Sequence, residues 1–414
     1  MTTTPTVPTP SFTVSRKALL PVLKQVTRAC AKGSAALLNT CVLLDARPGK
    51  DGKPASLTMA ATDLINSVRG KMGLMSCTAE GVYALPGARL AEVVNAMRGG
   101  DEIKFEPLQK RDTLTVLVST GKSSRVELPY VDPTGFPHIY TAAEDKAERH
   151  KIPSADLERV FKNVRHAATS EVTSNFHGVY LSASPQSATG FSEPSSAVSL
   201  LNVLPEGLLS AAGVLLPLNT VETILGLCAA GPEVEIAIKA RDNGTPLRVY
   251  LRDKTTEIAV MLPGNTFPPA LPGQVYGAAQ QPSVHWHKMR RDEVLDAARL
   301  LLTVLAGSKS DPRAAVRFDK GIVRMQTSGD AGTCDQEIVS NTPEDFEFTA
   351  GVETPQRDCG MSINHLISHL STPAMQAAEE FEIGISDNPM GMQLLRPAGE
   401  NAQSYVGAMN ALSL

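Results

Sequence analysis

TVETILGLCAAGPEVEIAI, residues 220–238, changes its period halfway along. Val221, Ile224, Leu225 and Cys228 stand at i, i+3, i+4 and i+7, which puts four apolar side chains on one face of a helix. Gly231-Pro232 ends that pattern, since proline lacks an amide hydrogen and its ring clashes with the preceding turn. Beyond it Val234, Ile236 and Ile238 alternate, the period of a strand with one buried face. The stretch predicts a helix feeding a strand, and the chain repeats it twice. ARLAEVVNAMRGGDEIKFEP carries Leu90, Val93, Val94 and Met97, then Gly99-Gly100, then Ile103 and Phe105. SINHLISHLSTPAMQAAEEFEIGI carries Ile363, Leu366, Ile367 and Leu370, then Phe381, Ile383 and Ile385.

A second helix recurs at the head of each third of the chain. Its stripes are Leu19, Val22, Leu23 and Val26; then Leu157, Val160, Phe161 and Val164; then Val294, Ala297, Ala298 and Leu301. The anchors Leu19, Leu157 and Val294 lie 138 and 137 positions apart, so the chain is a triplicated module. Between the helices lie short alternating runs, among them SLTMAATD, GVYLSAS, SSAVSLLNV and IVRMQTS, which predict antiparallel strands. The fold class is α+β, each module placing two helices on one side of antiparallel sheet. Phe136-Pro137 and Phe267-Pro268, 131 positions apart, mark module exits. The expected domains are 1–145, 146–278 and 279–414, with 1–10 a disordered tail and with TAAEDKAERHK and LPGQVYGAAQQPS as linkers.

Bulk properties narrow the class. The 414 residues are 42% apolar and 20% charged, and no apolar run approaches the roughly 20 residues that span a bilayer, so no membrane partner is expected. MTTTPTVPTP lacks the basic start and apolar core of a signal peptide. Six cysteines without CxxC spacing suit a reducing cytoplasm. A net charge of −4 argues against a protein that coats nucleic acid with its whole surface.

Motifs of chemistry are sparse. TGKSS at 120–124 resembles the end of a phosphate loop, but Val116 stands where the first glycine belongs, and the alternating context predicts a hairpin. His365 and His369 are spaced to share a metal, yet no third ligand is evident, and they read as solvated helix-face histidines. In HWH at 285–287 the two histidines share one side of a strand and Trp286 packs on the other. No GxSxG or nucleophile–base spacing appears, so no catalytic residue, metal or cofactor is assigned. The head helices lean positive: Arg16, Lys17, Lys24 and Arg28 have no acid among them, followed in later modules by Arg159, Lys162 and Arg165, and by Lys288, Arg290, Arg291 and Arg299. A polyanion facing these helices would explain that polarity, and so would ordinary solvation.

Triplication, module size and local motifs together resemble the bacterial DNA polymerase III beta subunit, the sliding clamp. The match is carried by SFTVSRKALLPVLKQV, ATDL at 61–64, GVYALPGARLAEVV, HGVYL at 177–181, GVLLPLNTVETIL at 213–225, MLPGNTFP at 261–268 and SYVGAMNAL at 404–412. The resemblance implies a non-catalytic processivity factor: a head-to-tail homodimer whose six modules ring duplex DNA, with twelve helices lining the hole. Its implied partners are double-stranded DNA without sequence preference, the DNA polymerase III alpha subunit, the clamp loader and other proteins bearing clamp-binding motifs. Implied phosphate contacts are Arg28, Lys32, Lys162, Arg165, Lys288 and Arg290. An implied peptide pocket between modules two and three draws on Phe176, Pro217, Val221, Val406, Met409 and Leu412, with Ser192, Pro194, Ser195, Ser196 and Ala197 along one wall. The chain departs from the family there, reading SEPSSA where Thr-Asp-Gly-His-Arg-Leu is usual and AMNALSL where a Met-Pro-Met element is usual. Two alternatives stand beside this reading: a divergent paralogue serving a specialised or mobile-element polymerase or a repair partner, and an enzyme with dispersed catalytic residues on a repeated α+β scaffold.

Overall fold

The computed structural model describes residues 10–33, 36–110, 113–121, 124–169, 171, 174, 176–201, 204–209, 213–262, 267–305, 312–319, 321–329, 332–341, 358–386 and 392–410. Most of the expected tail at 1–10, and Leu412 of the implied pocket, lie outside the described residues.

Eight α-helices are described: α1 (Arg16–Val26), α2 (Gly87–Ala96), α3 (Ser154–Val164), α4 (Leu218–Cys228), α5 (Leu271–Ala279), α6 (Arg291–Val304), α7 (Ile363–Leu370) and α8 (Pro373–Gln376). The recurring anchors behave alike, with Leu19, Leu157 and Val294 all buried. Ser15 and Ser362 cap α1 and α7 by accepting the amides of Ala18 and His365. Arg16 opens α1 and donates to the carbonyls of Val94 and Asn95 near the end of α2, at 3.0 and 2.7 Å. Arg291 opens α6 and donates in the same way to Leu370 O at the end of α7. In both pairs a cation meets the negative end of a neighbouring helix.

The strands form four antiparallel sheets among the described residues. One eight-stranded sheet runs His150–Pro153, Glu233–Ala240, Pro246–Arg252, Thr256–Met261, Asn66–Gly73, Ser56–Thr62, Cys41–Arg47, Gly81–Pro86. The other runs Val214–Leu216, Val179–Ala183, Gln186–Ser192, Ser195–Leu200, Tyr405–Asn410, Met392–Pro397, Glu380–Ser386, Val284–Arg290. A five-stranded sheet ends in Ser124–Pro129, and a four-stranded sheet begins with Gly332–Val339. Two compact units result: residues 1–154 with 222–263, and residues 155–221 with 264–414. The first holds the five-stranded sheet and the eight-stranded sheet that contains Asn66–Gly73; the second holds the other two sheets. Strands from the expected middle domain thus join both eight-stranded sheets.

Three local readings need correction. LPGQVYGAAQQPS is not a free linker: Leu271–Ala279 is helical, with Pro272 tolerated in the first turn and Val275 and Ala279 buried four apart. Lys288 and Arg290 lie on the strand Val284–Arg290, one step before α6. His369 is fully buried rather than solvated, because it continues the α7 stripe of Ile363, Leu366 and Leu370. The TGKSS segment does sit at a hairpin, Thr120 pairing with Ser124. The TAAEDKAERHK segment is anchored on its sheet, Asp145 binding Arg248 and Tyr250 while Arg149 binds Glu257.

Candidate functional site

The wall and the tail implied to shape a pocket meet as neighbouring strands of the second eight-stranded sheet. Ser195 faces Met409, Ser196 faces Ala408, Ala197 faces Gly407 and Val198 faces Val406. The turn before the wall is tied to the strand end, since Asn410 donates from its amide to Pro194 O and from Nδ2 to Glu193 O. Ser192 Oγ donates to Ser195 O across the same turn. Because side chains alternate along a strand, this register sends the candidates to opposite faces. Val198, Val406 and Ala408 pack with Val275 and Ala279 of α5. Ser195, Ser199 and Tyr405 look the other way, toward α3 and α7. Val406 and Met409 are both core residues.

Behind the wall sits a polar cluster that sequence reading missed. His369 Nε2 lies 2.9 Å from Ser195 Oγ, and its Nδ1 lies 2.6 Å from Tyr405 Oη and 3.1 Å from His166 Nε2. A neutral His369 satisfies this set by donating from Nε2 to Ser195 and accepting at Nδ1, a tautomer assigned from the network. Burial, together with the neighbouring His166 and His365, holds His369 well below the ordinary histidine range. Burial, with His365 and Arg165 nearby, pushes His166 down to about 4. Next to them Asn163 donates to Ser199 and accepts from the Ala374 amide, joining α3 to the start of α8. Gly407 is required here: a Cβ would come within 2.5 Å of His369 Nδ1. The placement of His369 at i+3 from Leu366, beside Leu370 on the apolar stripe, was the signal that could have found it.

On a neighbouring part of this unit Phe176 joins an aromatic cluster, and Pro217 lies against Gly178. Phe176 packs 4.6 Å from Phe191 and edge-on to Phe267 at 5.6 Å, while Phe267 stacks on Tyr180 at 4.3 Å. Gly178 between them has φ +134°, and a Cβ there would strike Leu216 O at 2.2 Å, so only glycine lets this strand lie against the entry to α4. Val221 is completely buried within α4.

The basic candidates are dispersed. Lys32 is exposed and, among the described residues, pairs with no carboxylate. Arg28 is exposed on the turn after α1, with Nη1 donating to Glu222 O. Lys162 pairs with Glu158 at 2.6 Å, Lys288 with Glu380, and Arg290 with Glu293 and Glu379 at 3.5 and 3.3 Å. Arg165 is half-buried on the turn following α3. Exposed pairs of this kind are worth about 0–1 kcal/mol, so exchanging a carboxylate for a phosphate costs little.

No protein-family model matches this sequence, and no curated protein matches it. Solved structures do. The beta sliding clamp of Caulobacter crescentus superposes with a TM-score of 0.80 at 17% identity, covering 98% of this chain and 99% of that one. The DNA polymerase III beta subunit of Thermotoga maritima gives 0.77 at 16% identity, over 98% of this chain and 100% of that one. The Pseudomonas aeruginosa subunit gives 0.76 at 15%, again over 98% and 100%. The chain therefore has the fold of the bacterial beta sliding clamps along nearly its whole length.

Proposed function

We propose that this chain is a DNA sliding clamp: a non-catalytic processivity factor that closes as a head-to-tail homodimer around duplex DNA and tethers the replicative polymerase. The clamp fold over 98% of the chain is the observation that carries this reading. Three modules, 1–145, 146–278 and 279–414, would supply three of the six needed for a ring. The outer strands favour closure. Ser124–Pro129 ends the five-stranded sheet and Gly332–Val339, with a 77% exposed Val339, ends the four-stranded sheet among the described residues, so each offers an edge to which a strand of a second copy could add. Lining contacts through Arg28, Lys32, Lys162, Arg165, Lys288 and Arg290 would be few and phosphate-directed, which permits sliding. Phe176, Pro217 and the Ser192–Ala197 wall would receive short motifs from the polymerase III alpha subunit, the clamp loader and related proteins. The cytoplasm is the expected compartment, and among the described residues no helix is long and apolar enough to cross a membrane.

The test is topological. The protein, loaded on a nicked circular plasmid, should stay bound through gel filtration and be lost once the plasmid is linearised. Equal loss from both forms overturns the reading. A second reading, a paralogue serving another polymerase or a repair partner, draws on the wall itself, where the buried Ser195 and Ser196 replace the family's larger polar side chains. Pull-down with a clamp-binding peptide of the host's replicative polymerase separates the two, because a specialised pocket should ignore it.

A further inference from the structure

The second compact unit keeps one apolar face of its eight-stranded sheet under a segment of its own chain. Val275 and Ala279 of α5 pack with Val198, Leu394, Val406 and Ala408, which come from three neighbouring strands. Ser196 of the proposed wall stands two residues before Val198, and so on the same side of the sheet. Tyr276 Oη adds a polar fastening by donating to Gln403 O at 2.9 Å. The strands beneath are joined without α5, because Ser195–Leu200 and Met392–Pro397 both pair with Tyr405–Asn410 along their backbones.

The helix itself is weakly built. Its nine residues fall short of the roughly 12–15 at which an isolated helix is even marginal, none of them is charged, and no side chain caps its first turn. Gly273 and Gly277 lie exposed in it, although a Cβ added at either would meet nothing within 4 Å. Alanine would fit both places, and each glycine instead tilts the balance toward coil by roughly fivefold. The helix therefore stands on the packing of its buried face and not on its own propensity. What holds α5 down is also what a competitor can offer, apolar side chains for a face whose packed residues carry no charge. We propose that α5 is a displaceable cover, and that when it lifts the face takes an uncharged apolar peptide supplied in trans. This rests on the clamp reading, in which short partner motifs dock on this unit, and adds that the chain closes the site itself.

The probe is the cover in free form, fluorescein-labelled Ala-Leu-Pro-Ala-Gln-Val-Tyr-Ala-Ala-Ala-Gln-Gln, which is residues 270–281 with alanine at both glycines. Titrated by anisotropy against the full chain, it should bind Val275→Ser/Tyr276→Ser, whose cover is loosened, at least tenfold more tightly than the native chain. It should bind Gly273→Ala/Gly277→Ala, whose cover is held down, at least tenfold more weakly. Photo-leucine at the probe's valine should crosslink residues 196–198 and 406–408, and serine at that place should abolish binding. The alanine pair disturbs no contact, so the native chain against that variant decides the matter even if the loosened variant fails to fold. Equal affinity for those two chains, crosslinks confined elsewhere, or no saturable binding at millimolar probe would each overturn the proposal. Retention on nicked circles is read separately: kept while the probe fails, it rejects the cover and leaves the clamp reading standing.

Discussion

Acidification should loosen the second compact unit through its buried histidines. His166, ordinarily near 6.5, is pushed down to about 4, and His369 is lowered as well, both chiefly by burial. A lowered folded-state value means the unfolded chain binds the proton more tightly. The stabilisation is therefore complete above pH 6.5 and is lost as pH falls toward 4. For His166 alone, a drop from neutral pH to pH 5 removes about 2 kcal/mol, and reaching pH 4 removes about 3 kcal/mol. His287, stacked 4.8 Å from Phe318 and also held near 4 by burial, titrates in the same window. Trp286 is the only tryptophan and lies in the sheet that contains Ser195 and Tyr405, so its fluorescence reports this unit. Urea titrations at fixed protein concentration, from pH 7.5 to 5, should show the midpoint falling by about 1 M for each 2 kcal/mol lost. In His287→Phe that residue's share should vanish, leaving the loss due to His166 and His369. A midpoint flat between pH 7 and 5 in both proteins would refute the reasoning.

Gly407→Ala should cost about 2–4 kcal/mol, since the new methyl must displace His369 from Ser195 and Tyr405, and the same urea midpoint measures it. Val221→Ala removes two buried methyl groups and should lower stability by about 2 kcal/mol while leaving retention on nicked circles intact. Lys32→Glu with Lys162→Glu should shorten retention on nicked circles at low salt, equally for unrelated sequences, and the difference should fade as salt rises, as half-lives at several salt concentrations would show. Asp145→Asn should release the segment before the His150–Pro153 strand, seen as faster amide exchange across 141–149, because the carboxylate holds both Arg248 and Tyr250.

The six repeated helices and the triplication were legible in the chain because they rest on local spacing, a stripe at i, i+3, i+4 and i+7 that must be buried on one side wherever the helix lies, whereas Leu271–Ala279, without such a stripe, read as a linker. Leu19, Leu157 and Val294 are buried as that spacing requires. The strands flanking the 192–197 wall were legible for the same reason. Their partners were not, since which strand lies beside Ser195–Leu200 depends on a contact more than 200 residues away with Tyr405–Asn410. That pairing set Ser195 beside Met409 and Ser199 beside Tyr405. Tertiary packing also drew His369, Tyr405 and His166 into one cluster, and pairing with Glu380–Ser386 put Lys288 on a strand instead of a helix. Local periodicity determines what each segment is and which face it hides; only tertiary packing decides what that face meets, because burial rewards any apolar partner while hydrogen-bond geometry accepts very few.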